Sequence, residues 1–346
     1  MSKFSDRPRD RPRKGPPRRS ASPPPATLAS SRSRPPAAPR PSTPPRPAGP
    51  RPTSAPRPAS LPPRPHTSGG ASGGASGAGT HWGEFAHWYD GLVGDSGSDY
   101  HQHVVLPGVL RMLHVHPGEV ILDVACGQGV LCRELHRKRC KVTGVDAGGE
   151  LIRLAQERSD PAITYKVVDA REVGKLSAVP EFTPFHAATC VLAIQNIDPV
   201  QGVFDGVAKL LAPGGRFILV MMHPAFRVPK HSHWGWDANA RADGGARHHT
   251  RAHARDAIQY RRVDRYLLPM KEPITVNPGK SATGRVWAFH RPLQHYINAL
   301  GAAGLVIDRM EEWPSHRTSD PGPRADAENR ARREFPLFLA LRAVKR

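Results

Sequence analysis

The stretch LDVACGQGV, residues 122–130, decides the fold of this chain. It begins inside EVILDVA (119–125), a continuous apolar run that is typical of a strand buried on both faces of a parallel sheet. It leads into VLCRELHRKR (130–139), whose apolar spacing predicts a helix. A small-residue turn between a buried strand and a helix indicates a ligand-binding loop.

The residues of this turn exclude two common nucleotide-binding motifs. Small side chains at Ala125, Gly127 and Gly129 allow a sharp bend and let a ligand approach the main chain. A dinucleotide fingerprint would need a third glycine where Cys132 stands, and no Gly-Lys-Ser/Thr of a P-loop is present. The loop therefore predicts a third kind of ligand.

Acidic residues follow three successive predicted strands. Asp123 is the last polar residue of the first strand, and Asp146 ends the second. The Asp146 carboxylate can accept two hydrogen bonds from a ribose diol. Asp169 ends the third strand and can accept from an adenine amino group, with the N–H of Ala170 directed at the ring.

Strand and helix patterns alternate along most of the chain from residue 81. Strands are predicted at 119–125, 141–147, 163–170, 186–197 (running into a loop), 216–223, 305–313 and 335–345, and helices at 104–114, 200–211 and 292–304. Short crossovers in one direction predict a mostly parallel sheet with helices on both faces. Ligands bind such sheets beyond the carboxyl ends of the strands, where residues 123–129, Asp146, Asp169 and residues 195–198 are predicted to lie.

Residues 224–289 interrupt this alternation and are rich in His, Trp, Arg and Pro. We predict a lid-like insertion over the ligand edge of the sheet. The histidines of HSHWGWD (231–237) and RHHTRAHARD (247–256) could suggest a metal. They lack the cysteine or carboxylate spacing of known metal sites, so we predict no metal site.

Four segments together resemble the class I S-adenosylmethionine-dependent methyltransferases: DVACGQG (123–129), VTGVDA (142–147), VVDA (167–170) and LLAPGGRFILV (210–220). The likeness is greatest to the group of methyltransferase domains that includes quinone C-methyltransferases and many natural-product enzymes. It implies an α/β, Rossmann-like sheet of seven strands whose last strand, FLALRAVK (338–345), is antiparallel. It also implies S-adenosylmethionine as cofactor.

The resemblance assigns cofactor-binding residues by position. These are Asp123, Ala125, Cys126, Gly127, Gly129, Asp146, Ala147, Asp169, Ala170 and Gln195, with Tyr89 and Tyr100 flanking the methionine portion. Two positions depart from the family pattern. Ala125 replaces its first glycine, a mild change because alanine is small, and His186 replaces an aspartate that is usually outside the cofactor contacts.

Methyl transfer is an in-line displacement, in which the protein aligns donor and acceptor and excludes water. A base is needed only where the acceptor must lose a proton. His223 at the end of the fifth strand and His290 are the predicted catalytic bases, because imidazole titrates near neutrality.

Residues 1–80 differ in composition from residues 81–346, the predicted methyltransferase domain. They hold 21 of the 38 prolines and 15 Lys/Arg against 2 Asp, a net charge of +13 of the total +20. Such a segment buries too little apolar surface to fold, so we predict a disordered tail and linker. It could be a spacer, the product of a start codon assigned too early, or an electrostatic anchor for nucleic acid or an acidic partner.

Three functions remain open. We favour methylation of a small-molecule acceptor at O, N or C, because the insertion can enclose one. An RNA or protein methyltransferase recruited by the tail is the second, although Gln195–Asp198 lacks the N-P-P-Y-like tetrad of many amino-group methylators. A non-catalytic adaptor that retains the fold is the third.

The sequence also predicts a cytoplasmic location. No apolar run is long enough to span a bilayer, and the N-terminus lacks the apolar region of a secretory signal. The four cysteines form no C-x-x-C pair and are predicted to be free thiols.

Overall fold

The structure, a computed structural model, describes residues 86–178, 182–237, 257–274 and 286–346. Its strands in these ranges are β1 (Val120–Val124), β2 (Lys141–Asp146), β3 (Thr164–Val167), β4 (Phe185–Val191), β5 (Leu211–Met222), β6 (Ser232–Asp237), β7 (Ile258–Val263), β8 (Met270–Ile274), β9 (Val286–His290), β10 (Leu305–Trp313) and β11 (Phe338–Lys345). Its α-helices are α1 (Ala86–Val93), α2 (Leu106–Leu113), α3 (Val130–Arg137), α4 (Gly149–Glu157), α5 (Gln201–Leu210), α6 (Leu293–Ala302) and α7 (Ala325–Glu334).

Seven strands form one sheet in the order β10-β11-β5-β4-β1-β2-β3. Strands β1 to β5 are parallel to one another, whereas β11 runs antiparallel to both β5 and β10. This arrangement confirms the predicted Rossmann-like fold with an antiparallel last strand. Because β1 pairs with β2 on one side and with β4 on the other, the topological switch point lies between β1 and β4.

Both faces of the sheet are covered, which explains the continuous apolar run of β1. Alternate side chains of a strand point to opposite faces. Leu122 packs with Phe204 of α5 and Tyr296 of α6 in one buried cluster. Ile121 packs with Met112 of α2 and Leu135 of α3 in a second cluster. A strand buried on both faces has no position for alternating polar residues.

Three details of the predicted elements were wrong. β3 ends at Val167, so Asp169 lies in the turn that follows the strand. β5 begins at Leu211 with an irregular register, five residues before the predicted strand at 216–223. Helix α7 was not predicted, because ADAENRARRE presents only small alanines to the core, at Ala327 and Ala331.

The predicted insertion contains two antiparallel hairpins, β6–β7 and β8–β9, each a separate two-stranded sheet. The predicted tail at 1–80 and the histidine-rich stretch 247–256 lie outside the described residues. All four cysteines are free thiols, and three of them are buried. In the ranges that the structure describes, no helix combines the length and the apolar character needed to cross a membrane.

Candidate active site

A cavity of about 440 Å³ lies at the carboxyl ends of the parallel strands, beside the switch point. One part of its wall comes from the loops that follow β1 to β4, and the other part from the segment between β5 and α6. Eight of the twelve residues predicted to bind the cofactor line it: Tyr89, Ala125, Gly127, Asp146, Ala147, Asp169, Ala170 and Gln195.

The small-residue turn owes its composition to backbone conformation. Ala125, Gly127 and Gly129 have φ angles of 56°, 56° and 81°, all in the left-handed region. A Cβ atom on Gly129 would lie 2.3 Å from the hydroxyl of Tyr165, so the position also excludes any side chain sterically. The prediction that alanine is mild at 125 considered size alone. The left-handed backbone costs an alanine about 1 kcal/mol relative to glycine.

Asp146 closes this turn from the end of β2. Its Oδ2 accepts a hydrogen bond from the Gly127 N–H at 3.0 Å, and its Oδ1 accepts from the Gly148 N–H at 2.8 Å. Burial raises the pKa of the carboxyl, while these backbone hydrogen bonds oppose the rise. A carboxylate has about four acceptor positions, so the bonds from Gly127 and Gly148 leave acceptor capacity for a ligand. That capacity fits a vicinal diol.

Asp169, in the loop that follows β3, also lines the cavity and is paired with Arg171. The Arg171 backbone N–H donates to Oδ1 at 2.9 Å, and Nη2 donates to Oδ2 at 2.5 Å. The hydrogen bonds from Arg171 lower the pKa of this carboxyl, which keeps it ionised. A purine amino group bound here would share the carboxylate with Arg171.

Asp123, Cys126 and Gly129 do not line the cavity. Asp123 is 3% exposed, and its carboxylate accepts from Thr189 Oγ1 at 2.7 Å and from Cys132 Sγ at 3.4 Å. Burial raises the pKa of this carboxyl to about 6. Because Thr189 belongs to β4 and Cys132 to α3, Asp123 ties three elements together beneath the site.

The two predicted tyrosines lie in different places. Tyr89 lines the cavity, and burial beside Asp146 raises the pKa of its hydroxyl to about 12. Tyr100 lines a second cavity of about 420 Å³ and shares a hydrogen bond with Ser315 Oγ at 3.0 Å. Leu192 is among the residues that line both cavities, so the two are neighbours.

Of the two predicted bases, as of the two tyrosines, only one lines this cavity. His290 lines the cavity, and its Nε2 donates to the Tyr266 carbonyl at 2.7 Å, which leaves Nδ1 as the lone-pair nitrogen. His223 lines neither cavity. Its Nε2 bonds to Glu312 Oε1 at 2.7 Å and its Nδ1 accepts from the Ala225 N–H at 3.2 Å. Burial lowers the pKa of both imidazoles, so both are neutral at pH 7.

Two arginines in the cavity wall were not predicted. Arg227 follows β5, and Arg291 follows β9. Among the described residues, three buried side-chain nitrogen or oxygen atoms have no hydrogen-bond partner, namely Gln195 Oε1, Arg227 Nε and Arg291 Nη1. All three residues line this cavity. No motif marks the arginines, since only the folding of the insertion brings them to the site.

A cluster of potential metal ligands lies outside the cavity. Asp99, His103 and His316 bring one potential ligand atom each within 4.8 Å of one another. Arg317 Nε donates to the same Asp99 carboxylate at 2.8 Å. The guanidinium would repel a cation at this cluster, and the absence of a metal site remains a prediction.

The residues present fit an adenosyl sulfonium cofactor. Asp146 has free acceptor capacity for a ribose diol, and Asp169 is held ionised beside it. Gly127 has only the edge of the Tyr89 ring near its missing Cβ, at 3.4 Å, so the backbone is open to a ligand. The buried and unpartnered Gln195 Oε1 can accept from an ammonium group.

Comparison with known proteins agrees with this geometry. Residues 121–215 match a family model described as "Methyltransferase domain". The chain is 32% identical over 117 residues to a demethylmenaquinone methyltransferase of Tropheryma whipplei, covering 33% of this chain and 46% of that protein. It is 30% identical over 102 residues to a ubiquinone biosynthesis O-methyltransferase of Paracidovorax citrulli, covering 28% and 41%. The matches thus span less than half the length of these curated relatives.

Among solved structures, the chain is similar to an S-adenosylmethionine dependent methyltransferase from Mesorhizobium loti. The two are 26% identical with a TM-score of 0.49, and the match covers 69% of this chain and 96% of the other. The family match begins one residue into β1 and ends within β5, so it includes the turn and both cavity carboxylates. Residues 121–215 of this chain therefore have the sequence pattern of the methyltransferase domain family.

Proposed function

We propose that this protein transfers a methyl group from S-adenosylmethionine to a small-molecule acceptor. The observation that carries the proposal is that two different kinds of wall enclose one and the same cavity at the switch point. The left-handed turn and two carboxylates form one end of it, and the insertion between β5 and α6 encloses the other. Such a cavity can hold donor and acceptor together and away from water, which is what displacement at a methyl group requires.

The cofactor end is assigned to residues at the ends of β1, β2 and β3. Asp146 would hold the ribose diol, and Asp169 with Ala170 the adenine. Tyr89 and Gln195 would border the methionine portion. Carboxylates at this end also suit a positively charged ligand, because opposite charges attract strongly where water is excluded.

When bound, S-adenosylmethionine supplies an electrophilic methyl group on a sulfonium. The chain's own residues then have to orient the acceptor and, for an O–H or N–H acceptor, remove its proton. His290 is the base that the geometry favours, because hydrogen bonding to the Tyr266 carbonyl fixes its proton on Nε2. Its Nδ1 is then available to accept a proton.

At the end of the cavity opposite the carboxylates, the walls favour a small acceptor. Pro224, Pro229, Ile274 and Phe289 line it, and all four belong to the insertion or its hairpins. A wall of this kind excludes water from an acceptor of limited size. The four free thiols fit a reducing compartment, and we propose the cytoplasm as the location.

Calorimetric titration of the full chain with S-adenosylhomocysteine, S-adenosylmethionine and NADH tests the proposal. We expect both methionine derivatives to bind and NADH not to bind. Asp146→Ala should weaken binding at least about tenfold, because it removes charge-assisted hydrogen bonds. Asp205→Ala, an exposed carboxylate on α5, is the matched control and should bind as the wild type does. A folded wild-type chain that binds neither derivative would refute the function.

A further inference from the structure

The two ends of the cavity carry opposite charge. The carboxylates of Asp146 and Asp169 lie at the cofactor end, whereas the guanidinium groups of Arg227 and Arg291 lie in the wall supplied after β5 and β9. Carboxylates suit the cationic cofactor. The sulfonium and ammonium groups of the cofactor cannot pair with the arginines, because all of them are cations.

Arg227 is a half-buried cation without a counter-ion among the described residues. Its Nε has no hydrogen-bond partner, and its guanidinium lies 5.9 Å from the ring centroid of Trp234. Arg261 lies over the same ring at 5.1 Å, so a second positive charge is close by. Burial and the charge of Arg261 lower the pKa of Arg227 to about 10. Within the part of the chain that the structure describes, the surroundings of Arg227 thus lack negative charge.

Arg291, unlike Arg227, has a carboxylate partner. It is 5% exposed, and its Nη2 donates to Asp198 Oδ1 at 2.6 Å and to the Ile197 carbonyl at 2.8 Å. Its charge is therefore compensated, although its Nη1 has no partner. Arg291 can donate to a neutral oxygen, whereas Arg227 requires an anion.

Burying an unpaired hydrogen-bond donor is unfavourable, and burying an unpaired charge is more so. A ligand that supplies the missing acceptor recovers this free energy on binding. Resting on the proposed function, we propose that the methyl acceptor is an organic anion whose carboxylate, or a similar group, binds Arg227. A second, neutral oxygen of the acceptor accepts from Arg291 Nη1.

The cofactor carries a carboxylate too, so its position matters. Arg227 follows β5, and β4 lies between β5 and β1 in the sheet. Neighbouring strands are about 4.8 Å apart, which separates the ends of β5 and β1 by about 10 Å. Arg227 also borders the second cavity, together with Tyr100 and Trp234. It therefore belongs to the acceptor side.

The experiment uses the full chain saturated with S-adenosylhomocysteine and titrated with pairs of an anion and its neutral amide. Suitable pairs are benzoate and benzamide, 4-hydroxybenzoate and 4-hydroxybenzamide, indole-3-acetate and indole-3-acetamide, and hexanoate and hexanamide. We expect at least one anion to bind about tenfold or more tightly than its amide. Arg227→Gln should abolish that preference, and Arg227→Lys should retain part of it. Arg262→Gln, exposed on β7 and paired with Asp264, should keep it fully.

Each outcome decides a separate question. If no anion is preferred over its amide, or if Arg227→Gln keeps the preference, the inference is wrong. If Arg227→Gln weakens S-adenosylhomocysteine but not 5′-methylthioadenosine, which lacks the amino-acid part, Arg227 holds the cofactor and the inference is also wrong. Failure of the wild type to bind S-adenosylhomocysteine would instead refute the proposed function, and the anion preference can still be measured on the free chain.

Discussion

Replacing Asp123 by asparagine should change how the free energy of unfolding depends on pH. The Asp123 carboxyl is buried behind the glycine turn, with a pKa raised from 3.8 to about 6. The folded state therefore binds the proton more tightly than the unfolded state does. Ionisation of Asp123 therefore lowers the free energy of unfolding. This destabilisation is fully present well above pH 6 and is lost as the pH falls through 6 towards 4.

The size of the effect follows from the two pKa values. The full destabilisation is about 3 kcal/mol, because each pKa unit corresponds to 1.36 kcal/mol. About 2 kcal/mol of it develops between pH 4.5 and pH 7.5. Asparagine keeps an oxygen to accept from Thr189 Oγ1 but cannot ionise. As the pH rises from 4.5 to 7.5, the free energy of unfolding of Asp123→Asn should therefore increase by about 2 kcal/mol relative to that of the wild type.

Urea unfolding followed by tryptophan fluorescence at several pH values measures the difference. Comparing variant with wild type cancels the histidines, which titrate in both. Asp205→Asn, exposed on α5, is the control and should follow the wild type. S-adenosylhomocysteine affinity should stay within about threefold, because Asp123 does not line the cavity. Parallel pH profiles for Asp123→Asn and wild type would refute the reasoning.

Three further predictions concern the turn and the proposed base. Ala125→Gly should raise the free energy of unfolding by about 0.5–1 kcal/mol in urea, since glycine relieves a φ of 56°; a loss of stability would contradict this. Gly129→Ala should lose more than about 2 kcal/mol, because its Cβ meets the Tyr165 hydroxyl at 2.3 Å. Gly214→Ala, also at positive φ but in open space, should lose only about 1 kcal/mol in the same assay, and equal losses would exclude the steric reason. His290 should be neutral at pH 7 with its proton on Nε2 and a pKa below 6.5, as read from its imidazole nitrogens by NMR; an Nδ1–H tautomer would contradict the assignment.

The strand-end carboxylates were predictable because local pattern determines where a buried parallel strand ends. The apolar run before Asp123 and the strand that ends at Asp146 have a length and composition that no surface helix shares. Once the strands are parallel, their carboxyl ends lie at one edge of the sheet. Asp146 and Asp169 therefore come together by topology alone.

The sequence pattern does not reveal features that depend on the direction of a side chain or on contacts between segments far apart in the chain. Asp123 is adjacent in sequence to cavity residues, but its side chain turns away to Thr189 and Cys132. His223 was a reasonable base by position, yet Glu312, 89 residues away, occupies its Nε2. Arg227 reaches the cavity only because of how the insertion folds, which no periodicity encodes.

The division of the cavity between two parts of the chain has an evolutionary consequence. Residues assigned to the cofactor end lie between Tyr89 and Gln195, whereas those that border the acceptor end lie largely after Met222. The insertion is joined to the sheet only at the end of β5 and the start of α6. Under the proposed function, exchanging this segment between homologous proteins would change the acceptor while the donor site is inherited intact, so acceptor specificity and donor binding could diverge independently.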